Sequence, residues 1–137
     1  MKRKQFRWRE RKKYSLCYRI ILFTKYRRKI LGPIANTILK SLLDVTKENN
    51  EWAIEILNID KEEMDHIHFF IKAKPYISPE RIIKKLKQAS TYYVWQLHHD
   101  YMNKLYKTGK HHLWARGYFC YSTGKLTERT IKTSIKK

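Results

Sequence analysis

The residues best equipped for chemistry in this 137-residue chain are the two histidines of Asp65-His66-Ile67-His68-Phe69-Phe70-Ile71. The stretch is short and apolar, which predicts a largely buried strand. Side chains alternate along a strand, so His66 and His68 share one face about 7 Å apart at Cα, while Ile67 points towards a core. Two imidazoles so placed could share one divalent cation, each through a single ring nitrogen. They could equally be two half-buried, hydrogen-bonded histidines, which is the commoner fate of an isolated His-x-His pair. A second cluster, Lys25-Tyr26-Arg27-Arg28-Lys29, directly follows a predicted strand. Basic residues at a strand's end are well placed for phosphate, or form a solvated loop.

The composition favours a polyanionic partner. Thirty-one Lys and Arg against 12 Asp and Glu give a net charge of +19, with an isoelectric point near 10.0. Such a chain seeks nucleic acid first and an anionic membrane surface second. Ten Tyr, four Trp and five Phe are interleaved with the basic residues. That mixture suits single-stranded or distorted nucleic acid, where rings stack on exposed bases and cations meet phosphates. The hydrophobic share of 42% supports a real core, and the length supports one domain with tails. Cys17 and Cys120 make neither a disulfide framework nor a zinc spacing. No apolar run follows Met1-Lys2-Arg3-Lys4 and no stretch approaches a membrane span, so a cytoplasmic protein, on the nucleoid when bound to DNA, is expected.

The elements that must hold the histidines can be read in order. Residues 1–13 form a basic arm, either mobile or a short helix ordered by its ligand, or a solvated tail; residues 14–137 form the domain. Tyr14 to Thr24 predicts a strand with Leu16, Tyr18, Ile20 and Leu22 on one face. Pro33 fits the first turn of a helix carrying Ile34, Ile38, Leu39, Leu42, Leu43 and Val45 or Thr46 at helical spacing. Trp52 to Ile59 predicts a second strand, and Asp65 to Ala73 the third. Ser78, Pro79 and Glu80 have the chemistry of a helix start. The helix beyond turns Ile82, Ile83 and Leu86 inward and Arg81, Lys84, Lys85 and Lys87 outward, towards DNA or simply water. A further, aromatic helix is expected from about Ser90 to Tyr106, its rings serving the core or a dimer. His111 and His112 read as an exposed loop pair, Tyr118 to Ser122 as a fourth strand, and Thr127 as the cap of a last helix. This order predicts an α+β fold: a ferredoxin-like antiparallel sheet with helices on one face, whose first and third strands are the central pair.

At this point the chain resembles the single-tyrosine HUH transposases of small insertion sequences, the TnpA type, and their repeat-associated relatives. Tyr18 to Leu31, YRIILFTKYRRKIL, resembles the family's first strand and its exit. Met64 to Ile71, MDHIHFFI, resembles its HUH strand, with Ile67 as the bulky apolar U. Lys74-Pro75, Leu86-Lys87 and Ser90 fit the following helix. Leu113-Trp114 and Gly117-Tyr118-Phe119 fit the segment before the last strand, and Gly124 with Thr130-Ile131-Lys132 the start of the C-terminal helix. The resemblance covers residues 14–137. It implies a homodimer that binds imperfect hairpins at element ends as single-stranded DNA, then cuts and rejoins them. It also implies a tyrosine nucleophile on the C-terminal helix, and a Mg²⁺ or Mn²⁺ held by His66, His68 and a helix glutamine. Lys25, Tyr26, Arg27, Arg28, Lys84, Lys85, Lys87, Trp114 and Arg116 are the expected DNA contacts.

One departure matters. Aligning Thr130 to Lys137 with the family's helix puts Ser134 where the tyrosine belongs, and the glutamine would fall beyond Lys137. Three readings follow: the chain binds DNA without cutting it, another tyrosine such as Tyr121 is the nucleophile, or this short helix aligns differently. Tyr118 fits the family's own structural Tyr-Phe. An RNA-binding module of the same fold is disfavoured, because aromatic residues in the RNP pattern are not evident on the strands.

Overall fold

The computed structural model describes residues 16–59 and 61–122. The basic arm, the helix expected from Thr127 and Ser134 within it lie outside the described residues. β1 (Leu16–Phe23) passes through a short 3-10 turn (Lys25–Arg27) into α1 (Leu31–Lys47). β2 (Trp52–Ile59) and β3 (His66–Ala73) form a hairpin, followed by α2 (Pro79–Leu97), α3 (His99–Leu105) and β4 (Phe119–Ser122). The sheet order is β2-β3-β1-β4, with every neighbour antiparallel. β1 and β2 therefore run parallel with β3 between them, which is the expected split βαβ arrangement. The histidine strand lies at the sheet's centre.

The core follows the two periodicities. Ile20 and Leu22 of β1, and Ile67, Phe69 and Ile71 of β3, share one buried cluster with Ile34, Ile38 and Leu42 of α1 and Ile82, Ile83 and Leu86 of α2. Both long helices thus cover one side of the sheet. Leu43, placed by its spacing on the inner stripe of α1, is instead 45% exposed, because the stripe is centred on Ile34, Ile38 and Leu42. α2 begins as its sequence requires: the Ser78 hydroxyl accepts the Arg81 N–H at 3.3 Å, Pro79 occupies the first turn and Glu80 sits at the positive end.

The expected break near Ser90 is absent. No Gly or Pro interrupts the helix there, and Ser90 returns its hydroxyl to the Leu86 carbonyl at 2.8 Å. The chain breaks at His98, which leaves helical geometry and places Nε2 2.8 Å from Thr37 Oγ1 on α1. The aromatic residues therefore divide. Trp95 and Tyr106 are buried, whereas Tyr92 and Tyr93 face outward.

Candidate functional site

Strand register places paired residues on the same side of a sheet. The side of β3 turned away from the core cluster carries His66, His68, Phe70 and Lys72, opposite Phe23, Ile21, Arg19 and Cys17 of β1. β2 sets Asn58 beside His68. β4 sets Phe119 beside Ile21 and Tyr121 beside Arg19. The two histidine rings have centroids 6.1 Å apart and planes inclined by 33°. Two imidazoles on one cation can have centres at most roughly 6.6 Å apart, given metal–nitrogen bonds of about 2.1 Å. The 6.1 Å separation lies within that limit, so one cation could bridge the pair.

Two neighbours orient these rings. Asp65 is buried; its Oδ1 accepts from His66 Nδ1 at 2.7 Å and its Oδ2 from Arg27 Nε at 3.0 Å. Nδ1 then carries the proton and Nε2 is the ring's lone-pair nitrogen. His68 Nε2 lies 3.3 Å from Asn58 Nδ2. Among the described residues no three His, Cys, Asp or Glu side chains converge as a metal cluster. A cation here would complete its shell with water or phosphate oxygen. Neither Asp65 nor Asn58 was singled out as an orienting group by the sequence. The one available signal was a carboxylate heading an otherwise apolar strand.

The Asp65 carboxylate also makes a stability prediction. Burial pushes its pKa up, but hydrogen bonds from His66 and Arg27, with their charges, outweigh burial and hold it below the ordinary 3.8. A folded pKa below the unfolded one gives stability that is complete above the ordinary aspartate value and lost as pH falls through the folded value. Asp65→Asn is expected to flatten this acid limb, measured as unfolding midpoints between about pH 5 and pH 2.

The basic turn after β1 is tightly held. Tyr26 and Arg27 adopt left-handed φ values of 61° and 52°, which only surrounding contacts can sustain in these residues. The Thr24 N–H reaches the Asp65 carbonyl at 2.9 Å, and its hydroxyl the Arg28 carbonyl at 2.8 Å. From α3 and its end, the Tyr101 and Tyr106 hydroxyls donate to the carbonyls of Ile30 and Lys25 at 2.9 and 3.0 Å. Arg28, though exposed, is engaged within the chain: its Nη1 donates to the Leu105 carbonyl, and its guanidinium lies 4.8 Å from the Tyr106 ring centre. Arg27 is half committed, to Asp65 and the face of Phe23. Tyr26 remains 65% exposed.

Tyr106 carries an alkaline counterpart to Asp65. Burial pushes its phenol from 10.0 to about 12. Its contribution to stability is full below 10.0 and is lost as pH rises towards about 12. Tyr106→Phe is expected to remove that alkaline loss, read as urea midpoints across the same range.

Of the remaining expected contacts, Lys84, Lys85 and Arg116 are exposed. Lys87 departs from the outward stripe. Its Nζ donates to the carbonyls of Ala115, Arg116 and Gly117 at 2.9, 3.1 and 3.3 Å, and burial lowers its pKa from 10.5. Its three donors organise the loop before β4 in place of a phosphate. Trp114 also departs from an exposed interface: its ring is buried and its Nε1 donates to Ser90 Oγ at 2.8 Å, which leaves little of its face for a base. The loop histidines are engaged too, with His111 stacked on Trp95 at 4.2 Å and His112 edge-on to Tyr106 at 5.7 Å. Tyr121 shares the histidine face, but stands two strands from β3 and one row along, roughly 12 Å from His68 at Cα by sheet spacings. A cleft of about 580 Å³ between α1 and α2, lined by Thr37, Asp44, Tyr93 and Leu97 among others, includes no residue of this face.

No curated protein is similar enough to match this chain. Among solved structures, a Deinococcus radiodurans R1 protein assigned as a transposase aligns with a TM-score of 0.67 and 23% identity, over 90% of this chain and 87% of that one. A REP-associated tyrosine transposase bound to a REP hairpin aligns with a TM-score of 0.57 and 10% identity, over 88% of this chain and 62% of that one. At these identities the likeness is one of fold. The family described as Transposase IS200 like matches residues 12–137, which takes in the whole described sheet and its paired histidines, and the chain belongs to that family.

Proposed function

We propose that this protein binds imperfect hairpins of single-stranded DNA at the ends of a mobile element, as a homodimer, and that His66 and His68 hold a Mg²⁺ or Mn²⁺ against a bound phosphate. The observation that carries the proposal is the histidine pair on the face of the central strand turned away from the core cluster, rings 6.1 Å apart, with the Asp65 carboxylate fixing His66. The cation would polarise the scissile phosphate and offset its charge for in-line attack. Asp65 keeps His66 in the ligating tautomer. Arg27, tied to that carboxylate, adds positive charge at the site's edge. Lys84, Lys85 and Arg116 contribute to the electrostatic capture of the strand. The hairpin-bound REP-associated relative supports the choice of partner.

A second reading, a hairpin binder that does not cut, is favoured by Ser134 at the position of the family's tyrosine. A serine hydroxyl lacks the phenol's acidity and reach. Tyr121 would have to bring its hydroxyl across roughly 12 Å to serve instead.

The test is a covalent-adduct assay. Protein is mixed with labelled single-stranded DNA from the flanks of its gene, with Mn²⁺, and resolved on denaturing gels. A band shifted by the DNA mass supports the nuclease, and peptide mapping then names the nucleophile. Tight binding without an adduct assigns the binder. With about six phosphates neutralised, affinity should fall with a log–log salt slope of about −4. A flat salt response overturns both readings.

A further inference from the structure

The histidine face carries more than the histidines need. Phe23 lies beside His66, with ring centroids 5.4 Å apart. Phe119 meets Phe23 edge-on at 5.7 Å. Tyr121 lies parallel to Phe119 within 8°, at 6.4 Å. The three rings form a continuous aromatic track from the central pair of strands to β4. Its outer half is open, with Phe119 51% and Tyr121 50% exposed. Two large rings at alternate positions of a short strand, turned away from the core cluster, contribute little to packing there.

Positive charge accompanies the rings. The Arg27 guanidinium lies 4.4 Å from the Phe23 ring centre. Arg19 is the direct cross-strand neighbour of Tyr121, and its buried Nε has no hydrogen-bond partner among the described residues. A buried donor in that state is costly unless a ligand supplies the acceptor.

We infer that this track is a base-stacking surface: Phe119 and Tyr121 hold unpaired bases of the single-stranded DNA flanking the hairpin, and Arg19 donates to a phosphate oxygen of the same strand. The inference rests on the proposed DNA-binding function and deepens it by naming a subsite. Aromatic faces interleaved with guanidinium groups are complementary to unpaired nucleotides, and the net charge of +19 favours a polyanion over an apolar partner. Stacking tolerates any base, so this subsite supplies affinity rather than sequence readout. Tyr121 is then a platform and not the nucleophile.

The experiment uses the full chain and two fluorescein-labelled DNA hairpins of identical stem, one blunt and one with a single-stranded thymidine flank, read by anisotropy. The wild type should bind the flanked probe more tightly. Phe119→Ala and Tyr121→Ala should each weaken it by about tenfold while leaving the blunt probe unchanged. Phe119→Leu, which keeps bulk without the ring, should behave as Phe119→Ala, and Tyr121→Phe should recover the loss of Tyr121→Ala. A fluorescent purine analogue in the flank should be quenched by the wild type and less so by Tyr121→Ala. If the wild type gains nothing from the flank, or the variants weaken both probes alike, the inference is overturned and the hairpin-binding function stands. If neither probe is bound, both fall. An RNA flank that binds more tightly than the DNA flank overturns the assignment to DNA.

Discussion

His66→Ala is expected to lower metal-dependent strand cleavage by roughly a hundredfold or more, with hairpin affinity changed by less than about twofold. The proposed cation site would have two protein ligands among the described residues. Removing one leaves a single imidazole, too few to hold a hard cation against water. Loss of about 3 kcal/mol of charge stabilisation at the phosphate corresponds to about two orders of magnitude in rate, at about 1.4 kcal/mol per tenfold. His68→Ala should match it, and the double variant should be hardly worse than either, because the pair acts as one unit. Asp65→Asn should be milder, at about 10–100-fold in metal affinity, because it disturbs orientation and leaves both ligands in place. Single-turnover gels measure the rate, and the Mn²⁺ electron paramagnetic resonance signal measures binding in parallel. The second readout keeps the test decisive in a protein that binds without cutting. Equal Mn²⁺ binding by wild type and His66→Ala would make the pair ordinary sheet histidines.

Trp114→Ala is expected to destabilise the fold by about 3–5 kcal/mol while leaving DNA affinity within about twofold below the unfolding transition. The indole is buried in the core cluster, and its N–H is satisfied by Ser90, whose own hydroxyl is tied to the Leu86 carbonyl. Truncation removes a large apolar surface and opens a cavity at the point where the Leu113–Ala115 segment meets the end of β1. That meeting is held by Lys25 N–H to the Leu113 carbonyl at 2.8 Å and Ala115 N–H to the Phe23 carbonyl at 2.7 Å. Ser90→Ala should cost less, about 1–3 kcal/mol, because it leaves the indole packed but its N–H unpaired. Chemical unfolding with anisotropy titration separates the two quantities. A Trp114→Ala protein with an unchanged unfolding midpoint and weakened DNA binding would return the ring to the interface.

What the sequence disclosed and what it hid divide along a physical line. Features set by local period were legible: the Ile20 and Leu22 face of β1, the Ile34, Ile38 and Leu42 stripe, the Ser78-Pro79-Glu80 start of α2, and both histidines on one face of a central strand. Features set by register or by a passing loop were not. Asp65 and Arg27 meet from segments 38 residues apart, and Asn58 meets His68 only through the register of the β2–β3 hairpin. Phe119 joins the histidine face only through its pairing with Ile21. Lys87 is indistinguishable from Lys84 and Lys85 by spacing, yet the loop before β4 passes over it alone. A separate helix is expected from about Ser90, whereas the Ser90 hydroxyl bonds back to the Leu86 carbonyl and the helix runs on to Leu97. Ser134, aligned by resemblance with the family's tyrosine, lies outside the described residues.

The central position of β3 has a consequence for how the site is made and unmade. Its backbone is bonded along both edges, and the partner of His66 on one side, Phe23, is separated from it in sequence by α1 and β2. Non-local pairing of this kind is completed late and dissolves only with the domain. The amides of Ile67 to Ile71 should therefore exchange with deuterium at the rate set by global unfolding, with no faster local opening. The paired histidines inherit the full stability of the fold, so a destabilising core substitution anywhere in the sheet shortens the lifetime of their shared arrangement.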